Sequence, residues 1–288
     1  DSKNSKEGIR LPSILIPYPG PCETKLCHDV FVYLRPEANG IRVESTIMKA
    51  VKSDPEFHDQ LNLVYLANIP GDFIVRNKIV EKHYTGQLYF SIHGKGAFTQ
   101  KMKETFEGHF HCSFEKAHIF GAFEAMKELS LDKDQLFNLW VPEPDMLCVN
   151  GQTIKKYNDV YIVNYDIPAI LHKNNFRTDI AVMIFRTPLE YGQIHRIIER
   201  IGQSLIDAEI LDSDKPMSRI FHYSKGPFDQ IRDAIGYLYN QDNTHVSLKK
   251  IAFSHYLLRQ GLTMHQILGG IHHPIMLFRE KNNRIVED

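Results

Sequence analysis

The chain has little cysteine and no long hydrophobic run. Four of its 288 residues are cysteine, and the spacing of Cys22, Cys27, Cys112 and Cys148 matches neither a zinc-ligand template nor a disulfide framework. This cysteine usage is typical of a reducing compartment. No apolar run approaches the roughly 20 residues that a membrane-spanning helix needs. We therefore expect a cytoplasmic protein without a membrane partner.

An excess of charge of one sign is also missing. The 34 Lys and Arg residues nearly balance the 35 Asp and Glu residues, which leaves a net charge of −1. A chain with this balance has no overall attraction to nucleic acid. We therefore disfavour a nucleic-acid partner, and the remaining candidates are a small ligand, a protein partner or a homo-oligomer.

Complete catalytic signatures are missing as well. The glycine turn at 94–96 lacks the Gly-x-x-x-x-Gly-Lys-Ser/Thr spacing of the phosphate-binding loop. Ser113 and Ser247 lie outside any Gly-x-Ser-x-Gly elbow, and each is explained as the N-cap of a helix. The sequence therefore leaves open whether the protein is an enzyme.

What the chain does contain is a weak internal repeat. Segment 95–100 (Lys-Gly-Ala-Phe-Thr-Gln) recurs as 225–230 (Lys-Gly-Pro-Phe-Asp-Gln). In the same order, 111–116 recurs as 245–250, with His, Ser and Lys in register. Weak matches that keep their order are the usual trace of an old duplication. We therefore predict that the chain consists of two similar halves.

This repeat predicts how the chain is divided. We expect a flexible polar tail over residues 1–10 rather than a signal peptide, a first α/β repeat over residues 11–150, and a second over residues 151–288. Halves of this length have the usual size of a domain. Apolar runs followed by helical patterns indicate an α/β or α+β fold, in which each half has a mixed sheet covered by helices.

Local patterns predict particular elements. The Asn-Gly pair between apolar runs predicts a β-hairpin with strands at 30–34 and 41–47. A further strand is expected at 88–93 and a helix near 114–129. The spacing of isoleucine and leucine predicts a long amphipathic helix over 189–210.

The two Lys-Gly turns are the candidate ligand-binding site. A glycine turn before a helix exposes backbone N–H groups at the positive end of the helix dipole, where an anion can bind. We predict a small anionic ligand, phosphate- or nucleotide-like, at the junction of the repeats. The alternative is a protein-interaction or structural module without a small-molecule site. The candidate residues are His93, Lys95, Gly96, His222, Lys225 and Gly226.

Histidine provides the candidate metal site. His109 and His111 share a face if that segment is extended, and Cys112 is adjacent. Imidazoles on one face are a common way to hold zinc. We therefore predict a zinc site at His109 and His111, with ordinary surface histidines as the alternative.

Overall fold

The structure is a computed structural model that describes residues 8–22, 27–173, 177–213, 215, 217–272, 277–279 and 285–287. The predicted tail over residues 1–10 lies largely outside these residues. The chain forms two compact units, each made of two chain segments: 1–83 with 174–267, and 84–173 with 268–288. No described helix has the length and apolar character needed to cross a membrane.

The described chain contains both strands and helices. In chain order the strands are β1 (Ser13–Ile16), β2 (His28–Leu34), β3 (Asn62–Ile69), β4 (His118–Gly121), β5 (Met146–Val149), β6 (Gln152–Tyr157), β7 (Val160–Val163), β8 (Ile180–Thr187), β9 (Phe221–Tyr223), β10 (Leu277–Arg279) and β11 (Ile285–Glu287). The α-helices are α1 (Ile41–Ser53), α2 (Gly71–Arg76), α3 (Ile79–His83), α4 (Thr85–His93), α5 (Gln100–Phe110), α6 (Ala122–Glu128), α7 (Lys133–Asn138), α8 (Ile167–Lys173), α9 (Tyr191–Asp207), α10 (Pro227–Tyr237), α11 (Ala252–Arg259) and α12 (Met264–His272).

The first unit is built on a five-stranded sheet in the order β1-β3-β8-β2-β9, whose neighbours are all antiparallel. Strand β2 is buried on both faces because helices cover both. Val32 on one face packs in a core with Ile47 of α1 and Ile197 of α9. On the other face, the ring of Tyr33 lies 4.5 Å from the ring of Tyr237 in α10. The two faces of β2 therefore pack against different helices, α1 and α9 on one side and α10 on the other.

The second unit has a four-stranded sheet in the order β4-β7-β6-β5. Strands β4 and β7 are parallel, and the other neighbours are antiparallel. Val163 on one face belongs to a core with Met102 and Phe106 of α5, whereas Ile162 on the other face packs with Ala125 of α6. The predicted α/β fold with sheets covered by helices is confirmed, but only the sheet of the second unit is mixed, because the sheet of the first unit is entirely antiparallel.

The predicted strand at 41–47 is wrong, because this segment begins helix α1. Its buried positions Val43, Ile47 and Val51 recur every four residues, which is helical spacing. The Asn-Gly pair does not form a hairpin turn. The side chain of Asn39 instead accepts a hydrogen bond from the backbone N–H of Ala181 in β8 at 2.9 Å. The Asn-Gly pair was wrongly interpreted as a hairpin turn because Asn39 instead contacts a strand that is distant in sequence.

Two other predicted elements are wrong. Segment 88–93 lies in helix α4 rather than in a strand, and segment 114–129 contains strand β4 before helix α6. The turn at Lys95 therefore joins two helices, whereas the turn at Lys225 joins β9 to α10. The structure does not show an internal duplication, which stays a prediction. Its expected boundary, at 150/151, falls on the turn of the β5–β6 hairpin.

Candidate metal site

Three ionisable side chains converge in the first unit: His83 at the end of α3, His222 in β9 and Asp233 in α10. One ligand atom from each lies within 4.8 Å of the others. Among the described residues, this is the one group of three or more His, Cys, Asp or Glu side chains close enough to hold a metal ion. We refer to these three residues as the His-Asp-His cluster.

The local sequence explains why Asp233 points inward. Helix α10 starts after Gly226, with Pro227 at its first position, where a missing backbone N–H costs nothing. Its buried face includes Asp233, Ala234 and Tyr237. These positions share one side of a helix of this pitch, so packing Tyr237 against the sheet also brings Asp233 inside.

Helix α3 approaches α10 closely enough to bring His83 into the same place. A Cβ atom added at Gly236 of α10 would lie 3.3 Å from the Cγ2 atom of Ile79 in α3. This distance is tighter than ordinary van der Waals contact, so a larger residue at 236 would press on α3. The small residue at this position therefore helps to set the distance between His83 and Asp233.

Asp233 has an unusual environment for a buried carboxylate. Its side chain is fully buried, and its Oδ1 atom lies 3.3 Å from Nε2 of His222 and 3.6 Å from Nε2 of His83. Within the part of the chain that the structure describes, neither carboxylate oxygen makes a hydrogen bond of ordinary geometry. Burying a polar group without such a bond is unfavourable by roughly 1–3 kcal/mol or more. A bound cation would relieve this penalty.

An aromatic side chain orients both imidazoles. The ring of Tyr33 stacks on the ring of His222 at 4.5 Å between centroids and meets His83 edge-on at 6.0 Å. The Tyr33 hydroxyl oxygen is also 3.4 Å from Nε2 of His83. Because Tyr33 is itself buried in β2, it limits the rotation of both rings.

Burial sets the protonation of the cluster. It lowers the pKa of His83 and of His222 to about 3, and it raises the pKa of Asp233 to about 7. Both imidazoles are therefore neutral near pH 7, and a neutral imidazole is the form that binds a metal. A metal ion would only have to displace the proton of Asp233.

Two of the three ligand-atom spacings suit a tetrahedral ion, and the third, between the two imidazoles, is no more than 4.8 Å. Zinc bonds of about 2.0–2.1 Å at the tetrahedral angle separate two ligand atoms by roughly 3.3 Å. The two distances from the carboxylate of Asp233, 3.3 and 3.6 Å, are close to that value. Three protein ligands leave a fourth position for another ligand, and two imidazoles with one carboxylate also suit Fe(II).

Of the predicted anion-binding residues, His222, Lys225 and Gly226 lie in the first unit. His222 belongs to the His-Asp-His cluster, Lys225 is exposed, and Gly226 precedes α10. The backbone N–H of Lys225 donates to the carboxylate of Asp229 at 3.2 Å. An acidic side chain of the same helix therefore lies at the place where the sequence predicted an external anion.

The other predicted residues, His93, Lys95 and Gly96, lie in the second unit. Nζ of Lys95 donates to the backbone oxygens of Glu115 and Ala117 at 2.7 and 3.2 Å. His93 and Gly96 are exposed at the surface. The described contacts of Lys95 thus hold a loop of its own unit, and a ligand shared by the two turns stays a prediction.

The extended segment assumed for His109 and His111 is absent, because α5 runs to Phe110. Nε2 of His109 lies 3.0 Å from the backbone oxygen of Pro144. His111 is the residue after the helix and has left-handed backbone geometry, with φ of 53°. The zinc prediction assumed that His109 and His111 share one face of an extended segment, and this assumption is wrong.

Sequence analysis missed His83 and Asp233. A signal for Asp233 was present, because an acidic residue falls on the face of α10 that also carries Gln230 and Tyr237. A comparable signal for His83 is not apparent, since its partners are distant in the chain. Comparison of the chain with protein-family models, with curated proteins and with solved structures finds no match.

Proposed function

We propose that this protein binds one divalent transition-metal ion, best suited to zinc, through His83, His222 and Asp233. The observation that carries this proposal is the fully buried carboxylate of Asp233, which has two imidazole nitrogens at 3.3 and 3.6 Å and makes no ordinary hydrogen bond within the described chain. A metal ion supplies the positive charge that this carboxylate lacks when its proton is lost.

A different role for the cluster is purely structural, with Asp233 protonated and held among neutral rings. That arrangement also fits the alternative drawn from the sequence, a protein-interaction or structural module. The distances favour a metal, because a protonated Asp233 next to an imidazole is expected to form a hydrogen bond of about 2.7–2.9 Å. Both imidazole nitrogens lie farther away and at tetrahedral ligand spacing.

The test is the metal content of the purified full chain after removal of metal with a chelator and dialysis against zinc. We expect about one zinc per chain, as for a single tetrahedral site. Asp233→Asn and His222→Gln should reduce the zinc content to well below one. Matched controls are Asp229→Asn, in the same helix, and His195→Gln, an exposed histidine in α9. Wild-type protein without zinc, or loss of zinc in both controls, would contradict the proposal.

A further inference from the structure

We infer that the hydroxyl oxygen of Tyr33 is the fourth ligand of this ion, so that side chains of the protein fill all four positions. This inference rests on the proposed metal site and adds to it a ligand and a class. A site with four protein ligands is closed and holds an ion within the fold, whereas a catalytic site keeps one position open. The inference draws on a distance, on burial and on the balance of charge.

The spacing at Tyr33 resembles the spacing at Asp233. The Tyr33 hydroxyl oxygen lies 3.4 Å from Nε2 of His83, and Oδ1 of Asp233 lies 3.6 Å from the same nitrogen. Two atoms bound to one tetrahedral zinc ion are separated by roughly 3.3 Å. A hydroxyl group that only donates to an imidazole is expected closer, at about 2.7–3.2 Å. The distance from Tyr33 to His83 therefore fits two ligands of one ion.

Strand pairing brings Tyr33 to both imidazoles. The register of β2 with β9 places Tyr33 directly opposite His222, and residues opposite each other in a sheet project from the same face. The ring of Tyr33 stacks on His222 and meets His83 edge-on. Coordination requires a tilt of the phenol ring relative to His222, and the two ring planes are already 21° apart. The phenol oxygen is therefore held beside the cluster by the sheet itself.

Burial favours a ligand from the protein over one from solvent. The side chains of Asp233 and His83 are 0% and 3% exposed, and Tyr33 is 2% exposed. Nε2 of His222 and both carboxylate oxygens of Asp233 are fully buried. An external ligand would need open space beside these atoms, whereas the hydroxyl group of Tyr33 is already next to them.

The balance of charge also favours Tyr33. A divalent ion bound by one carboxylate and two neutral imidazoles keeps a net charge of +1, because Asp233 is the acidic member of the cluster. A net charge is unfavourable in a buried environment, where the dielectric constant is low. If the phenol oxygen of Tyr33 binds the ion, its proton is released to solvent and the phenolate cancels this charge. The complete site is then neutral.

The experiment titrates zinc into the metal-free full chain and follows the ultraviolet difference spectrum, in which a tyrosine that becomes a phenolate gives its own band. Bound zinc is measured in the same samples, and we expect the band to grow with it up to about one zinc per chain. Tyr33→Phe should lack the band and bind zinc about tenfold or more weakly, at least as much as for loss of an outer-shell partner. The matched control is Tyr237→Phe, which removes the hydroxyl of a buried tyrosine whose ring lies 4.5 Å from that of Tyr33. It should keep both the band and the affinity.

The band distinguishes a ligand from a residue that only orients the imidazoles, because an orienting tyrosine changes the affinity for zinc but keeps its proton. If the wild type binds no zinc, the proposed metal site is wrong and this inference falls with it. If zinc binds without the band, or if Tyr33→Phe keeps the band, the metal site stands and the inference is overturned. Should Tyr33→Phe fail to fold, a crystal structure of the zinc-loaded wild type decides. It should show a distance of about 2.0–2.2 Å between zinc and the Tyr33 oxygen, and a water molecule in that position would overturn the inference.

Discussion

The first unit buries two aspartates in opposite ways. Asp29 is 1% exposed, and its carboxylate accepts two hydrogen bonds from Arg186, at 2.7 and 2.9 Å, and one from the Tyr18 hydroxyl at 2.5 Å. Asp233 is equally buried, but its neighbours are two imidazoles at longer distances. Depth of burial is the same in both cases, and only the number of donors differs.

This difference separates a structural carboxylate from a candidate ligand. A buried charge that is fully paired holds its surroundings in place and has little capacity for a further partner. A buried carboxylate without hydrogen bonds keeps its lone pairs available for a further partner. The effects of variants at the partners of Asp29 can therefore be compared directly with the effects of variants at Asp233.

The largest effect is expected at Arg186. Replacing it with methionine leaves the carboxylate of Asp29 buried without its cation, which should lower the free energy of unfolding by about 3–5 kcal/mol. Urea denaturation measures this change. Arg232→Met is the matched control, because its ion pair with Asp229 is partly exposed and should contribute less than about 1 kcal/mol. If both variants lost the same free energy of unfolding, the buried ion pair would contribute no more to stability than the partly exposed one, which would contradict the prediction.

Zinc should stabilise the protein through Asp233. At a free concentration one hundred times its dissociation constant, a ligand that binds only the folded state adds about 2.7 kcal/mol. We expect thermal unfolding of the wild type to shift upward with zinc and to return with a chelator. Asp233→Asn should unfold at the same temperature with and without zinc. If zinc still raised the unfolding temperature of this variant, zinc would have to bind at another site.

In the zinc-free protein, the free energy of unfolding should depend on pH because of Asp233. Its pKa of about 7 exceeds the unfolded value of 3.8, so the folded state holds a proton that the unfolded state has lost. The stability that this proton provides is present at low pH and is lost as the pH rises through 7. The advantage of wild type over Asp233→Asn should fall by up to about 1.4 kcal/mol per pH unit between pH 5 and 6. Denaturation at several pH values tests this, and a constant difference would contradict it.

The smallest effect is expected at Tyr18. Tyr18→Phe removes one hydrogen bond to Asp29 but leaves both bonds from Arg186, so the free energy of unfolding should fall by about 1 kcal/mol. Zinc binding should not change. A loss as large as that of Arg186→Met would mean that the hydroxyl, rather than the guanidinium, supports the buried carboxylate.

The sequence predicted the elements whose pattern is long or continuous. The helix expected over 189–210 is α9, observed at Tyr191–Asp207, because six buried apolar and glycine positions keep one face over its length. The strand expected at 30–34 lies within β2, which helices bury on both faces. Segment 88–93 was misjudged because a short apolar run has the same composition in a buried strand and in a short helix.

The candidate site was less predictable because it is assembled from distant parts of the chain. His222 was singled out, but its partners His83 and Asp233 come from α3 and α10. Strand pairing between β2 and β9 places His222 opposite Tyr33. Without that register, nothing in the local sequence of His83 distinguishes it from the other histidines of the chain.

One contact of α10 links the two buried aspartates. Gln230, one helical turn before Asp233, donates its side-chain amide to the backbone oxygen of Asp29 and accepts from the backbone N–H of Phe253 at 2.9 Å. The helix is thus tethered at both sides of this amide, and it cannot easily rotate to carry Asp233 toward water. This contact of α10 holds the position of Asp233, so binding of the proposed ion would require little movement of this ligand.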